Sequence, residues 1–290
     1  MRSWKAILGL AALIGALGLS ACKKKEKDED HHHSPQGGSQ TQGRWVQLGH
    51  ARGRLDTTYH ADLFAELPIG QDTLTEGYYR FRVTVRKGTT PYLRSDVKFL
   101  PMMYMTSGPH SCPVEQPEGP AQDGFYYGAA FFMMPTMPNQ PWKFHVAIGT
   151  ADTIDFTLQV NPHPKGWVRR GRQFGNPNNP RYLYEMKLPR IAVGVQEVSF
   201  YVYRRDMSRP ATDPAAFPAA TNITQIELLT WMPSMDHDGG PGTQHATPVQ
   251  GKPGRFDGQV PFNMTGDWWV IATFKENQTV IGRDTFAFEF

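Results

Sequence analysis

An internal repeat constrains the fold of this chain more than any other feature. Residues 97–100 align with 226–229, and residues 132–134 align with 262–264. The offset between the matched stretches is about 130 residues, and smaller shifts between them are what loop insertions produce. A chain that repeats itself at this spacing contains two copies of one folding unit.

The limits of the repeat define the predicted domains. The first copy covers residues 44–165 and the second covers 180–290. Between them, residues 166–179 are rich in Gly, Asn, Pro and Arg, a composition that is typical of a linker. We therefore expect two tandem domains with a short connection.

Each copy has the two-residue periodicity of β-strands. Residues 79–86 alternate Tyr, Phe and Val with Arg and Thr, and residues 286–290 alternate three phenylalanines with Ala and Glu. Such alternation places all apolar side chains on one face of a sheet. The 28 glycines and 24 prolines supply frequent turns. The sequence therefore predicts an all-β fold made of two small antiparallel β-sandwiches.

The N-terminus resembles a bacterial lipoprotein signal peptide over residues 1–21. Arg2 and Lys5 precede an uncharged run at 6–19, and Cys22 follows Leu-Ser-Ala, as in a lipobox. The run is shorter than the roughly 20 residues of a membrane span. The resemblance implies that Cys22 is lipidated and anchors the protein to a membrane of the cell envelope, on the periplasmic face or the cell surface. A plain signal peptide with a chance cysteine is the alternative.

Residues 22–43 are predicted to be a disordered tether, because their charged, His, Ser, Gln and Gly residues cannot form a core.

The net charge of the full chain is +3, and it falls to +1 without Arg2 and Lys5. This balance argues against nucleic acid as a partner, since phosphate binding needs a concentrated basic surface. The sequence contains no P-loop, no Gly-x-Ser-x-Gly motif and no evident nucleophile–base pair, so we predict that the protein is not an enzyme.

Methionines gather in the matched parts of the repeat. Of the 12 methionines, nine lie at 102–137, 232–235 and 264. Thioether sulfur is a soft donor that suits Cu(I), and imidazole suits copper or zinc. We therefore predict copper, with Cu(I) favoured, in the second copy at Met232, Met235, His245 and Met264. The related or degenerate site of the first copy comprises Met103, Met105, His110 and Met134.

Each of these residues also has a structural interpretation. Methionine commonly fills hydrophobic cores, so a methionine that is buried with no other ligand beside it would be a core residue and not part of a metal site. Cys112 is either a Cu(I) thiolate ligand or an inert buried thiol, and His237 is either an outer ligand or an exposed loop residue. His145 has no counterpart in the second copy and is predicted to be structural.

Several motifs of the second copy resemble the YtkA-like domain, which is related to the FixH proteins. They are Met-Pro-x-Met-x-His at 232–237, His-x-x-Pro at 245–248, Gly-x-Phe-x-Gly at 254–258, and Met264 shortly before Trp268. The first copy lacks the Met-Pro-x-Met order. The resemblance implies an immunoglobulin-like sandwich and a link to copper handling or oxidase assembly.

We therefore expect a membrane-anchored protein that stores copper or delivers it to a respiratory protein. The alternative is a metal-free immunoglobulin-like adhesion or assembly scaffold. In that case outward-facing Tyr201, Tyr203 and Trp269 would mark a partner surface.

Overall fold

The computed structural model describes residues 43–174, 180–240 and 244–290, and these residues form an almost entirely β structure. The predicted all-β sandwich fold is confirmed. One short 3₁₀ turn, Pro214–Ala216, interrupts the strands. The predicted signal peptide, Cys22 and the tether up to residue 42 lie outside the described residues, as do 175–179 of the predicted linker.

The strands of the described residues are, in chain order, β1 (Arg44–Arg52), β2 (Tyr59–Leu67), β3 (Leu74–Thr75), β4 (Gly77–Lys87), β5 (Thr90–Pro91), β6 (Val97–Met105), β7 (Gly108–His110), β8 (Val114–Glu115), β9 (Tyr126–Phe132), β10 (Trp142–Ile148), β11 (Asp152–Leu158), β12 (Val160–Asn161), β13 (Val168–Arg172), β14 (Arg181–Lys187), β15 (Gly194–Arg205), β16 (Gln225–Met232), β17 (His237–Asp238), β18 (Gln244–Pro248), β19 (Arg255–Phe262), β20 (Asp267–Glu276) and β21 (Thr279–Glu289).

The two halves of the chain have the same strand order. In the first half, one sheet runs β1-β2-β4-β9-β8 and the other runs β11-β10-β6-β7. In the second half, β13-β14-β15-β19-β18 repeats the first order and β21-β20-β16-β17 repeats the second. Strand β18 also pairs with β16, so the two sheets of the second half are joined at one edge. All these pairings are antiparallel, whereas the short strands β3 and β12 are parallel.

Strand β13 begins inside the segment that was predicted to be a linker. Val168 pairs with Glu185 on β14, and the neighbouring Trp167 is buried in the core of the second half. Arg169 on this strand forms an ion pair with Asp284 at 3.0 Å. The prediction of a linker over 166–179 therefore fails at residues 167–172. Arginines that bond to β21 hold this strand, and its composition lacks the apolar alternation by which strands are recognised.

Each half has its own core between its two sheets. In the first sandwich, Phe81 of one sheet packs against Phe144 of the other, with ring centroids 4.8 Å apart. In the second sandwich, Phe200 and Phe274, on the equivalent strands, make the corresponding contact at 6.2 Å. Burying one such side chain stabilises a fold by about 1.5–3 kcal/mol. The alternation in the sequence thus produces two layered cores, as expected for face-to-face sheets.

A third buried cluster joins the two sandwiches, and residues 41–290 form one compact unit. Tyr78 of the first sandwich stacks on Tyr201 of the second, with ring centroids 4.0 Å apart. Tyr203 is buried in the same contact against Phe131. Tyr201 and Tyr203 therefore contact the first sandwich, which corrects their assignment to a free outer surface.

A buried carboxyl group lies at this joint. Glu185 is 3% exposed and accepts a hydrogen bond of 2.8 Å from the backbone N–H of Tyr78. The ammonium of Lys187 lies 3.8 Å from the same carboxyl group and also donates to the carbonyl of Tyr78. Burial raises the pKa of Glu185 to about 7, although Lys187 acts in the opposite direction.

Candidate metal centres

A methionine, a histidine and a tryptophan lie side by side in the first sandwich. Met103 on β6 is opposite His110 on β7 and opposite Trp142 on β10. Residues opposite each other in a sheet point to the same face, which here is the inner one. Met103 and Trp142 are fully buried and His110 is 9% exposed. The imidazole meets the indole edge to face, with centroids 5.4 Å apart.

Met134 completes this first cluster from the loop before β10. The indole N–H of Trp142 donates to the carbonyl of Met134 at 3.0 Å, which turns the loop back over the ring. The Sδ atom of Met134 lies 3.0 Å from Nε2 of His110. Four side chains from four segments therefore meet at one end of the sandwich.

The ionisation of His110 determines what its contact with sulfur means. Its Nδ1 lies 2.9 Å from the carbonyl oxygen of Ser111, which can only accept, so Nδ1 carries a proton. Burial lowers the pKa of His110, an effect that favours the neutral ring. In that form Nε2 presents a lone pair to the lone pairs of the Met134 sulfur. With the ring in this neutral form, both atoms are lone-pair donors that a cation can bridge.

The second sandwich repeats this arrangement. Met232 on β16 is opposite His237 on β17. On its other side, β16 pairs with β20 up to Trp231 and Trp269, and the next step along the strands places Met232 beside Trp268. The rings of His237 and Trp268 meet edge to face at 5.8 Å. This geometry corresponds to that of Met103, His110 and Trp142 in the first sandwich.

The backbone of Met264 occupies the place of the backbone of Met134. The indole N–H of Trp268 donates to the carbonyl of Met264 at 3.0 Å, the same bond and the same distance as in the first sandwich. Met264 is 36% exposed. Nε2 of His237 is buried and has no hydrogen-bond partner among the described residues. Leaving such a group unpaired destabilises a fold by about 1–3 kcal/mol, which a bound cation would offset.

His245 does not join the second cluster, although the sequence placed it there. It lies exposed on β18, opposite Glu227. Glu227 precedes Met232 by five positions on the same strand, which separates His245 from the cluster by about 16 Å at 3.3 Å per residue. The shared Pro-Val motif suggested that His245 matches His110, but strand pairing makes His237 the equivalent residue.

The other predicted ligands have separate places. Met235 lies in the turn between β16 and β17 and is 58% exposed, with its backbone N–H bonded to the carbonyl of Met232. Met105 ends β6 and packs partly buried against the first core. Cys112 is fully buried in that core, and burial raises its pKa far above the ordinary value. The thiol therefore stays protonated and does not supply a thiolate ligand.

Sequence reasoning missed the two tryptophans and gave His237 only a possible outer role. The signal was available in the hairpins: a methionine lies at or near the end of one strand and a histidine follows the turn, at 103 and 110 and again at 232 and 237. Antiparallel hairpins bring such residues opposite each other even when the turns differ in length. His245 looked stronger because its neighbours repeat, yet those neighbours lie outside the cluster.

His145, which was predicted to be structural, belongs to a polar chain on the outer face of the first sandwich. Its Nδ1 lies 2.6 Å from Asp155 and its Nε2 lies 3.1 Å from the hydroxyl of Tyr104. The guanidinium of Arg54 bonds to the other oxygen of Asp155 at 2.5 Å. This chain fixes the ring of His145 and connects three strands.

The donors offered by the two clusters are imidazole nitrogen and thioether sulfur. Within the described residues, no three His, Cys, Asp or Glu side chains gather in a way that could hold a metal ion. Soft sulfur and nitrogen donors favour a soft monovalent cation over hard divalent ions, which prefer oxygen.

Among the residues that the structure describes, no helix has the length and apolarity needed to cross a membrane.

Comparison with protein-family models and with curated proteins finds no match for this chain.

Proposed function

We propose that the protein binds Cu(I) as cargo through a methionine–histidine–tryptophan–methionine cluster that occurs once in each sandwich. The observation that carries this proposal is the 3.0 Å contact between Nε2 of His110 and Sδ of Met134, together with the unpaired Nε2 of His237 in the equivalent cluster. Both ring nitrogens are buried donors that lack an oxygen or nitrogen partner among the described residues.

The dimensions of the first cluster suit a shared cation. Metal–nitrogen bonds of about 2.0 Å and metal–sulfur bonds of about 2.3 Å, at a tetrahedral angle, place the two donor atoms about 3.5 Å apart. The observed separation of 3.0 Å is shorter, so a small rotation of Met134 admits the ion. Met103, directly opposite His110, is within the same cluster and offers a second sulfur.

The cellular role follows from the N-terminal sequence. A lipid on Cys22 would hold the protein at a membrane surface, where it would store Cu(I) or pass it to a respiratory protein. The resemblance to the YtkA-like domain supports the same role. The alternative of a metal-free scaffold loses support, because Tyr201 and Tyr203 lie in the contact between the sandwiches, which leaves only Trp269 partly exposed.

Competition for Cu(I) against a chromogenic chelator tests this proposal on the purified mature protein. We expect the wild type to retain Cu(I), and we expect the double variant M134L/M264L to lose it. Leucine keeps the volume and apolarity of methionine, so stability changes by less than about 1.5 kcal/mol per site. Met133, the neighbour of Met134 that also packs against the first core, supplies the matched control M133L.

The control variant should retain Cu(I) as the wild type does. Failure of the wild type to compete with the chelator, or retention that the double variant leaves unchanged, would contradict the proposal.

A further inference from the structure

We propose that the two clusters divide the handling of Cu(I): the cluster of the second sandwich exchanges the ion, and the cluster of the first sandwich retains it. This inference rests on the proposed function and adds to it which cluster exchanges the ion and which one retains it. It follows from differences in exposure, hydrogen bonding and cover between two sites that share four residue types.

Exposure differs first. Met264 is 36% exposed, whereas its equivalent Met134 is partly buried against the first core. His237 is partly exposed as a residue, whereas His110 is 9% exposed. Soft-metal exchange proceeds through contact of an incoming donor with the bound ion. An exposed thioether ligand provides that access, and the second cluster has one.

The cover over the first cluster differs as well. Ser111, next to His110, donates its backbone N–H to the carbonyl of Ala211 in the second sandwich at 2.7 Å. Arg170 on β13 donates to the carbonyl of Met133, next to Met134, at 3.4 Å. Both segments that carry ligands of the first cluster are therefore bonded to the other sandwich, and opening that cluster must break these bonds.

The second cluster has only bonds from its own sandwich, within the described residues. Ser234 in the hairpin turn bonds to Asp267, and Gly266 exchanges backbone hydrogen bonds with Phe290. The turn itself carries Met235 with its side chain in solvent. The incoming partner that fits this opening is a peptide with a thiolate or thioether donor, because such a donor can replace Met264 on the ion.

The resting states also differ. Nε2 of His237 has no partner among the described residues and is ready to bind an ion. Nε2 of His110 is already in contact with sulfur, and that pair must separate before an ion is bound. Uptake and release are both expected to be faster in the second sandwich.

Stopped-flow release of Cu(I) tests this division. The mature protein is loaded with two equivalents of Cu(I) under anaerobic conditions and mixed with an excess of a chromogenic Cu(I) chelator. We expect two phases of equal amplitude that differ in rate by about thirtyfold, the factor that corresponds to breaking the two additional hydrogen bonds on opening at about 1 kcal/mol each. M264L should remove the fast phase, M134L should remove the slow phase, and M133L should change neither.

The variants H237Q and H110Q provide a second pair that removes the same phases through the other ligand. A single phase, one equivalent bound, or a fast phase that is lost in M134L and kept in M264L overturns this inference while the proposed function stands. A wild-type protein that retains no Cu(I) overturns the proposed function itself.

Discussion

The two sandwiches contain the same cluster in different surroundings. In both, a methionine near the end of one strand is opposite a histidine and beside a tryptophan, and the indole N–H donates to the backbone carbonyl of a second methionine. In the first sandwich residues 135–141, which include three prolines, separate Met134 from Trp142, whereas only residues 265–267 separate Met264 from Trp268. Strand pairing thus places the methionine, histidine and tryptophan of each cluster, and the two clusters differ in the length of the loop that follows the second methionine.

The joint between the sandwiches gives the largest expected effect. The pKa of Glu185, raised by burial to about 7, lies above its ordinary value of 4.5. The folded state therefore binds this proton more tightly than the unfolded state, and the stability that it contributes is complete below pH 4.5 and is lost as the pH rises through 7. Over that range the wild type should lose about 3 kcal/mol more of its unfolding free energy than E185Q does.

Urea denaturation of both proteins at several pH values measures this difference. Lys187, Tyr78 and Tyr201 are unchanged in E185Q, so they contribute equally to both pH profiles. Parallel profiles for wild type and variant would show that Glu185 does not titrate in this range.

Two glycines at equivalent positions test whether the halves are structurally equal. A Cβ atom on Gly128 would lie 2.5 Å from the carbonyl oxygen of Glu115, and one on Gly258 would lie 2.7 Å from that of His245. In each half the glycine allows the short edge strand, β8 or β18, to approach β9 or β19. Either G128A or G258A should destabilise the protein by about 1–3 kcal/mol through overpacking.

Calorimetry of the two variants makes the comparison direct. Equal losses would indicate that β8 and β18 have equivalent roles. A loss confined to G258A would instead indicate that the additional pairing of β18 with β16 makes the second edge more rigid.

The sequence was sufficient for the class of fold, and the cause is the alternation of apolar residues, which strands 79–86 and 286–290 keep almost without exception. Among its candidate ligands the sequence analysis named both methionines of each cluster, and their role as ligands belongs to the proposed function. It was insufficient for the histidine of the second cluster, because hairpin pairing depends on turn length and not on the neighbouring Pro-Val. It was also insufficient for β13, since ion pairs and hydrogen bonds from its arginines to β21 are long-range contacts with no local pattern.

The smallest effect separates a binding role for the histidines from a structural one. In H237F the aromatic ring can keep its edge-to-face contact with Trp268, while the buried nitrogen without a partner among the described residues disappears. Replacing an unsatisfied polar group by an apolar one of similar shape is neutral or stabilising, so the apo protein should gain up to about 1 kcal/mol. In H110F the bond from Nδ1 to the carbonyl of Ser111 is lost, and the apo protein should lose about 1 kcal/mol.

Thermal unfolding of the two apo variants measures this contrast. If His237 contributes to stability, H237F will be destabilised as H110F is, whereas if His237 is retained for a ligand, the metal-free H237F will be more stable than the wild type. If H237F is more stable than the wild type and has lost one equivalent of Cu(I), the unpaired nitrogen of His237 is retained at the expense of stability because it binds the ion. A destabilised H237F would assign His237 to packing and would leave only the first cluster as a binding site.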